Sequence, residues 1–119
     1  MNETQALAGK KIAFIGAGNM AEAMIRGVLK AKVVEPSDIL ATGRRQERLE
    51  SLTEAYGVSG FLDNAEAASM ADIVVLSVKP QILDKILREI GDAVSSSALV
   101  VSIAAGYPIA RIESYLNAG

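Results

Sequence analysis

The sequence predicts an α/β fold, a doubly wound parallel sheet with helices on both faces, on three observations. Short β-branched runs alternate with amphipathic segments, as strands buried on both faces alternate with the helices that cover them. A glycine-rich hexapeptide, Gly16-Ala17-Gly18-Asn19-Met20-Ala21, lies between the first such run and the first amphipathic segment. A length of 119 residues, 50% hydrophobic and 22% charged, suits one domain that buries its own core. Right-handed crossovers then give strand order 3-2-1-4-5, with the ligand crevice at the carboxyl ends of strands one and four.

Residues 1–10 read as a tail and 11–119 as the domain. Residues 11–15 form strand one, and Ala21, Met24, Ile25, Val28 and Leu29 mark one face of helix A. Pro36-Ser37 turns into strand two at residues 39–42, followed by helix B with Leu49, Leu52 and Tyr56, closed by Gly57. A weaker strand at 58–62 leads to Asp63, placed to cap a short helix with Glu66 at the capping-box position. Residues 73–78 carry the strongest strand signal, and Pro80 starts a helix bearing Ile82, Leu83, Ile86, Leu87 and Ile90. Residues 98–103 form strand five, and Pro108 begins a helix with Ile109, Ile112, Tyr115 and Leu116. The chain is expected to stop before a sixth strand, leaving strand five as an exposed apolar edge.

Composition narrows the chemistry. Twelve Lys and Arg against 14 Asp and Glu leave a net charge of -2, which is no footprint for nucleic acid or an anionic membrane, so a small molecule is the expected partner. With no cysteine and no histidine there is no thiolate nucleophile, no cysteine-ligated metal and no imidazole proton shuttle; no metal is expected. No stretch reads as a signal peptide or a membrane span, so a soluble, cytoplasmic protein is expected.

The hexapeptide is the GxGxxA form of the dinucleotide fingerprint, in its required place after a strand and at the start of a helix, which makes the expected fold Rossmann-type. Gly16 permits the tight turn, Gly18 admits the pyrophosphate and Ala21 lets the helix lie close to strand one. Unpaired amides and the positive end of the helix dipole favour an anion there, by roughly 0.3–1 kcal/mol when exposed.

A carboxylate about 20 residues beyond the glycines would hold an NAD ribose. Thr42-Gly43-Arg44-Arg45 stands there instead, and guanidinium groups pair with a 2′-phosphate, so NADP(H) is expected over NAD(H). Glu35 and Asp38 precede strand two and belong at its other end. The alternative is that Arg44, Arg45 and Arg48 form a solvated first turn with Glu47 and Glu50. Ser77-Val78-Lys79-Pro80 and Ser102-Ile103-Ala104-Ala105-Gly106 bring small or polar residues to the same rim. Lys79 reads either as a surface lysine at a strand end or as a group near the nicotinamide ribose. Asn64 reads either as an ordinary helix-start residue or as a contact to the adenosine ribose.

Residues 14–21, Phe14-Ile15-Gly16-Ala17-Gly18-Asn19-Met20-Ala21, together with Val78-Lys79-Pro80-Gln81 and Val101-Ser102-Ile103-Ala104-Ala105-Gly106, resemble pyrroline-5-carboxylate reductase. The resemblance runs from Lys11 to about Tyr115. It implies reduction of L-1-pyrroline-5-carboxylate to L-proline, the last step of proline biosynthesis, by hydride transfer from NAD(P)H to the ring C=N carbon. It also implies that Gly16, Ala17, Gly18, Asn19 and Met20 form the phosphate loop, with Asn64 on the adenosine ribose. Val78, Lys79 and Pro80 would flank the nicotinamide ribose, and Ala104, Ala105 and Gly106 the nicotinamide end. Proteins of that family continue into an all-helical domain that dimerises and completes the substrate pocket, so a homo-oligomer is implied and no catalytic residue is assigned here. The chain by itself is expected to bind cofactor and turn over little. Two rival readings stand beside this one: another NADP-dependent reductase or dehydrogenase of the same fold, and a non-catalytic NADP-binding module.

Overall fold

Four consecutive apolar residues, Ile-Ala-Phe-Ile, make β1 (Ile12–Ile15) a strand that can be buried on both faces, and all four are buried. In the computed structural model, which describes residues 9–103 and 109–116, β1 is the central strand of a five-stranded parallel sheet. Along the chain follow α1 (Asn19–Ala31), a single 3-10 turn (Pro36–Asp38), β2 (Ile39–Thr42), α2 (Gln46–Tyr56), β3 (Ser59–Phe61) and α3 (Asn64–Met70). Then come β4 (Ile73–Leu76), α4 (Pro80–Ile90), β5 (Leu99–Ser102) and α5 (Ile109–Tyr115). The sheet order is β3-β2-β1-β4-β5, as the sequence predicts.

The two-residue period of β1 divides the core. Ala13 and Ile15 face α3 and α4, packing with Ala67, Ala68, Leu83, Leu87 and Ile90. Ile12 and Phe14 face the other way, against Ala21 and Ile25 of α1 and Leu52 of α2. Local signals end the helices where expected. Gly57 closes α2 at φ +80, Asp63 accepts hydrogen bonds from the Ala65 and Glu66 amides at the start of α3, and Pro80 opens α4.

Register places the strand ends level. Ile15 lies opposite Thr42 on one side and Leu76 on the other, so the loops leaving β1, β2 and β4 emerge along one rim. At the opposite rim the Lys11 amide donates to the Asp72 carboxylate at 2.9 Å, and the Lys11 ammonium meets Asp38 at 3.4 Å. Asp38 is thus held a strand length from the crevice, roughly 10 Å, as its position before β2 implies.

Two expectations are modified. Ser77 and Val78, expected within strand four, lie beyond β4: the Ser77 hydroxyl lies 2.9 Å from both the Ile15 and Gly16 carbonyl oxygens and turns the chain toward the loop after β1. Strand five, expected to expose an apolar edge, is open on one face among the described residues. Val100 packs on the α4 side, whereas Leu99 (60% exposed), Val101 and Ile103 lie open on the α1 side. Among the described residues no helix is long and apolar enough to cross a membrane.

Candidate functional site

The glycine-rich loop is fastened by three strands at once. The Gly16 amide donates to the buried Thr42 hydroxyl at 3.1 Å, and the Ser77 amide donates to the Ile15 carbonyl at 3.0 Å. Gly16 has φ +104, and a Cβ there would sit 2.5 Å from Val78 Cγ1 and 3.1 Å from the Ser77 carbonyl oxygen. Both the backbone and the close approach therefore require glycine.

Gly18 is different. Its φ of -94 suits any residue, and a Cβ built on it meets nothing within 4 Å. No described residue calls for glycine at this position; something else placed against the loop would. Gly18 is the N-cap of α1 and no side chain caps that helix, so the first-turn amides have no side-chain acceptor. A 13-residue helix directs the positive end of its dipole to the same spot.

Beside this loop runs a groove of about 490 Å³. Of the residues singled out from the sequence, Gly16, Ala17, Gly18, Thr42, Gly43, Arg44, Arg45, Asn64, Ser77, Val78 and Lys79 line it. Thr42 and Ser77 contribute as ties, since their hydroxyls engage the loop backbone. Asn19, Met20 and Pro80 stand exposed in the first turns of α1 and α4, outside that lining. Ala104, Ala105 and Gly106 lie outside the described residues. Among the described residues, four cationic side chains, Arg44, Arg45, Arg48 and Lys79, and no carboxylate line the groove, although the chain as a whole carries a net charge of -2.

Besides Arg48, three lining residues were not singled out for the site: Leu62, Ile82 and Ile86. They lead into a second hollow of about 630 Å³ that also borders Arg44 and Asn64 and carries Asp63 and Glu89. Leu62 and Ile82 are 57% and 40% exposed, giving this end two apolar walls. The Asn64 side-chain amide donates to Glu89 at 2.8 Å.

Arg48 departs from the solvated first turn that the alternative reading gave it. Its Nε donates to the Ala17 carbonyl at 2.9 Å, and its Nη2 lies 3.3 Å from the Gly18 carbonyl and 2.9 Å from a Glu22 carboxylate oxygen. The other Glu22 oxygen accepts from the Tyr56 hydroxyl at 2.6 Å. Arg45 lines the groove and meets Glu47 at 3.3 Å on the exposed surface.

The Tyr56 hydroxyl, then the Arg48 guanidinium, hold the Glu22 carboxyl below its ordinary pKa, against the opposing effect of burial. The hydrogen bond to Glu22, with burial and the carboxylate charge, pushes the Tyr56 phenol above its ordinary value. The lowered carboxyl contributes stability at pH values above the unfolded carboxylate range, lost as pH falls through the folded pKa. The raised phenol contributes stability below the unfolded phenol pKa, lost as pH rises through the folded one. The stability difference between the wild type and Tyr56→Phe is therefore expected to be largest near neutrality and to shrink at both extremes. Urea unfolding across pH measures it, and a difference independent of pH would disprove the coupling.

The comparisons with known proteins agree with this geometry. Residues 11–106 match the family model described as NADP oxidoreductase, coenzyme F420-dependent. A pyrroline-5-carboxylate reductase from Methanosarcina acetivorans is 39% identical over 110 residues, covering 92% of this chain and 41% of that protein. The solved structure of a pyrroline-5-carboxylate reductase from Coxiella burnetii superposes with a TM-score of 0.84 at 35% identity, over 92% of this chain and 40% of that one. The Plasmodium falciparum pyrroline carboxylate reductase, solved with NADP bound, gives 0.78 at 26% identity, over 92% and 39%. The chain thus spans about 40% of the length of the relatives it matches. With a family match over residues 11–106 and the rim geometry above, the chain belongs to the family described as NADP oxidoreductase, coenzyme F420-dependent, and is similar over 92% of its length to pyrroline-5-carboxylate reductase.

Proposed function

We propose that this chain binds NADP(H) along the rim groove and supplies the cofactor-binding part of a pyrroline-5-carboxylate reductase. The observation that carries the reading is one juxtaposition: an α1 N-terminus without a side-chain cap, beside a groove lined, among the described residues, by four cationic side chains and no carboxylate. In this reading the amides at Gly18 and Asn19 bind the pyrophosphate, and Arg44 with Arg45 binds the 2′-phosphate. Leu62 and Ile82 pack on the adenine, with Asn64 near its ribose. Val78 and Lys79 flank the nicotinamide ribose, with Pro80 fixing the start of α4 behind them and Ala104, Ala105 and Gly106 at the nicotinamide end. When bound, the cofactor supplies a hydride to the C=N carbon of the pyrroline.

The similarity to pyrroline-5-carboxylate reductases supports the substrate assignment. Hydride transfer needs donor and acceptor carbons held about 3–3.5 Å apart in a closed site. Because the chain spans about 40% of those relatives, we infer that alone it binds cofactor and turns over little. The homo-oligomeric state proposed for the whole reductase rests on the same resemblance, and the cytoplasmic location on the sequence pattern.

The test is a calorimetric titration with NADPH and, separately, NADH. Replacing both Arg44 and Arg45 by alanine is expected to weaken NADPH roughly 10- to 100-fold, the worth of one or two lost charge-assisted hydrogen bonds, with little change for NADH. Equal wild-type affinity for the two nucleotides would remove the arginine assignment. A folded chain that binds neither would refute the cofactor reading.

A further inference from the structure

We propose that Arg48 is a positioning residue for the dinucleotide: it holds the phosphate loop in its binding geometry and does not itself bind phosphate. The proposal rests on the cofactor reading above. Its basis is the geometry of the peptide units on which Arg48 acts. No described peptide bond is cis, and in a trans peptide the N–H points away from the C=O of the same unit. Drawing the Ala17 carbonyl toward Arg48 therefore turns the Gly18 amide to the opposite side, and drawing the Gly18 carbonyl does the same for the Asn19 amide. The Gly18 carbonyl is held a second time, by the Glu22 amide at 3.0 Å. Around Gly18 the loop is open: a Cβ built there meets no described residue within 4 Å.

The guanidinium suits this task because its donors are fixed in one plane, so a single side chain can hold two successive carbonyls at once. Glu22 fixes the fork from the α1 side, and Tyr56 fixes Glu22 from the end of α2. The charge of Arg48 is thus already paired inside the fold. Arg44 contrasts with it: exposed on the rim, it forms no ion pair found among the described residues. The three arginines after β2 accordingly divide into Arg44 and Arg45, the second held only by an exposed surface pair with Glu47 that a 2′-phosphate can displace, and Arg48, which supports the loop.

That division has a distinct signature. The pyrophosphate is common to NADPH and NADH, so a disturbed loop weakens both by the same factor, whereas a lost 2′-phosphate contact weakens NADPH alone. Wild type, Arg48→Ala, Arg48→Lys and Glu22→Gln would each be titrated with NADPH and NADH, with circular dichroism and urea unfolding to establish that each is folded. Arg48→Ala is expected to lower both affinities about tenfold, leaving their ratio unchanged. Arg48→Lys is expected to recover part of both, since one ammonium can meet one of the two carbonyls. Glu22→Gln keeps the guanidinium but weakens its anchor, and is expected to lower both affinities modestly and equally. This variant decides the matter if Arg48→Ala does not fold, because a guanidinium that bound phosphate would, once released from Glu22, strengthen NADPH binding. A selective loss of NADPH in Arg48→Ala, unchanged affinities in a folded Arg48→Ala, or tighter NADPH binding by Glu22→Gln would each overturn the proposal while leaving the cofactor reading intact. A wild-type chain that binds neither nucleotide would remove both.

Discussion

Gly16→Ala is expected to unfold at markedly lower urea and to lose dinucleotide binding, whereas Gly18→Ala is expected to fold like the wild type and still lose binding. At position 16 an alanine must take φ +104, which costs a non-glycine residue about 1–3 kcal/mol. It must also fit a Cβ against Val78 and the Ser77 carbonyl, an overpacking of about 1–3 kcal/mol. Val78 can rotate, but the carbonyl belongs to the chain that β4 fixes. Together these give roughly 2–6 kcal/mol, a large part of the 5–15 kcal/mol typical of a domain. At position 18 neither penalty applies, so stability should change by less than about 0.5 kcal/mol, while the methyl group would occupy the pyrophosphate's approach. Unchanged NADPH affinity in Gly18→Ala would mean that the ligand does not lie over this loop. Unchanged stability in Gly16→Ala would contradict the geometry of the turn.

The second large effect lies beneath the loop. Phe14→Ala is expected to destabilise the fold by about 3–5 kcal/mol, because the ring is 2% exposed in the central strand and the sheet, α1 and α2 meet around it. Leu99→Ala removes a side chain of similar hydrophobicity that is 60% exposed, and is expected to change stability by less than about 0.5 kcal/mol. Urea midpoints for the two variants test the assignment of core at β1 and of surface at β5. A Phe14→Ala loss no greater than that of Leu99→Ala would refute it.

The fold was legible in the sequence because its signals are local. Ile12–Ile15, Ile39–Thr42 and Ile73–Leu76 are short apolar runs bounded by turn residues, and crossover handedness then leaves few ways to order them. The glycine loop and the arginines after β2 were legible for the same reason: a fingerprint at fixed spacing, in a fixed context. What could not be read depends on how helices sit across the sheet. Arg48 reaches Ala17 across 31 positions and Tyr56 reaches Glu22 across 34, and no periodicity marks either contact. Ile82 belongs to the apolar stripe of α4, so sequence assigned it to the core, yet the stripe is wide enough to carry it past the sheet to the groove wall. Leu62 follows a strand and carried no signal beyond being apolar. Ser77 could be read as a strand residue or a turn residue, and its hydroxyl, taken up by the carbonyls of Ile15 and Gly16, decided for the turn.

β1 is the one strand of the level trio β2-β1-β4 whose two edges are both hydrogen-bonded within it, and its faces are covered by helices on both sides. Its amide protons should therefore exchange with solvent only when the whole domain opens, while those of β3 and β5 exchange through local fraying. Gly16 to Gly18 grow directly from the end of this slowest-exchanging segment and are tied to β2 and β4. A ligand arriving at the loop meets a surface that is already ordered, so little of its binding free energy is consumed in ordering the chain, and encounter alone limits how fast the complex forms.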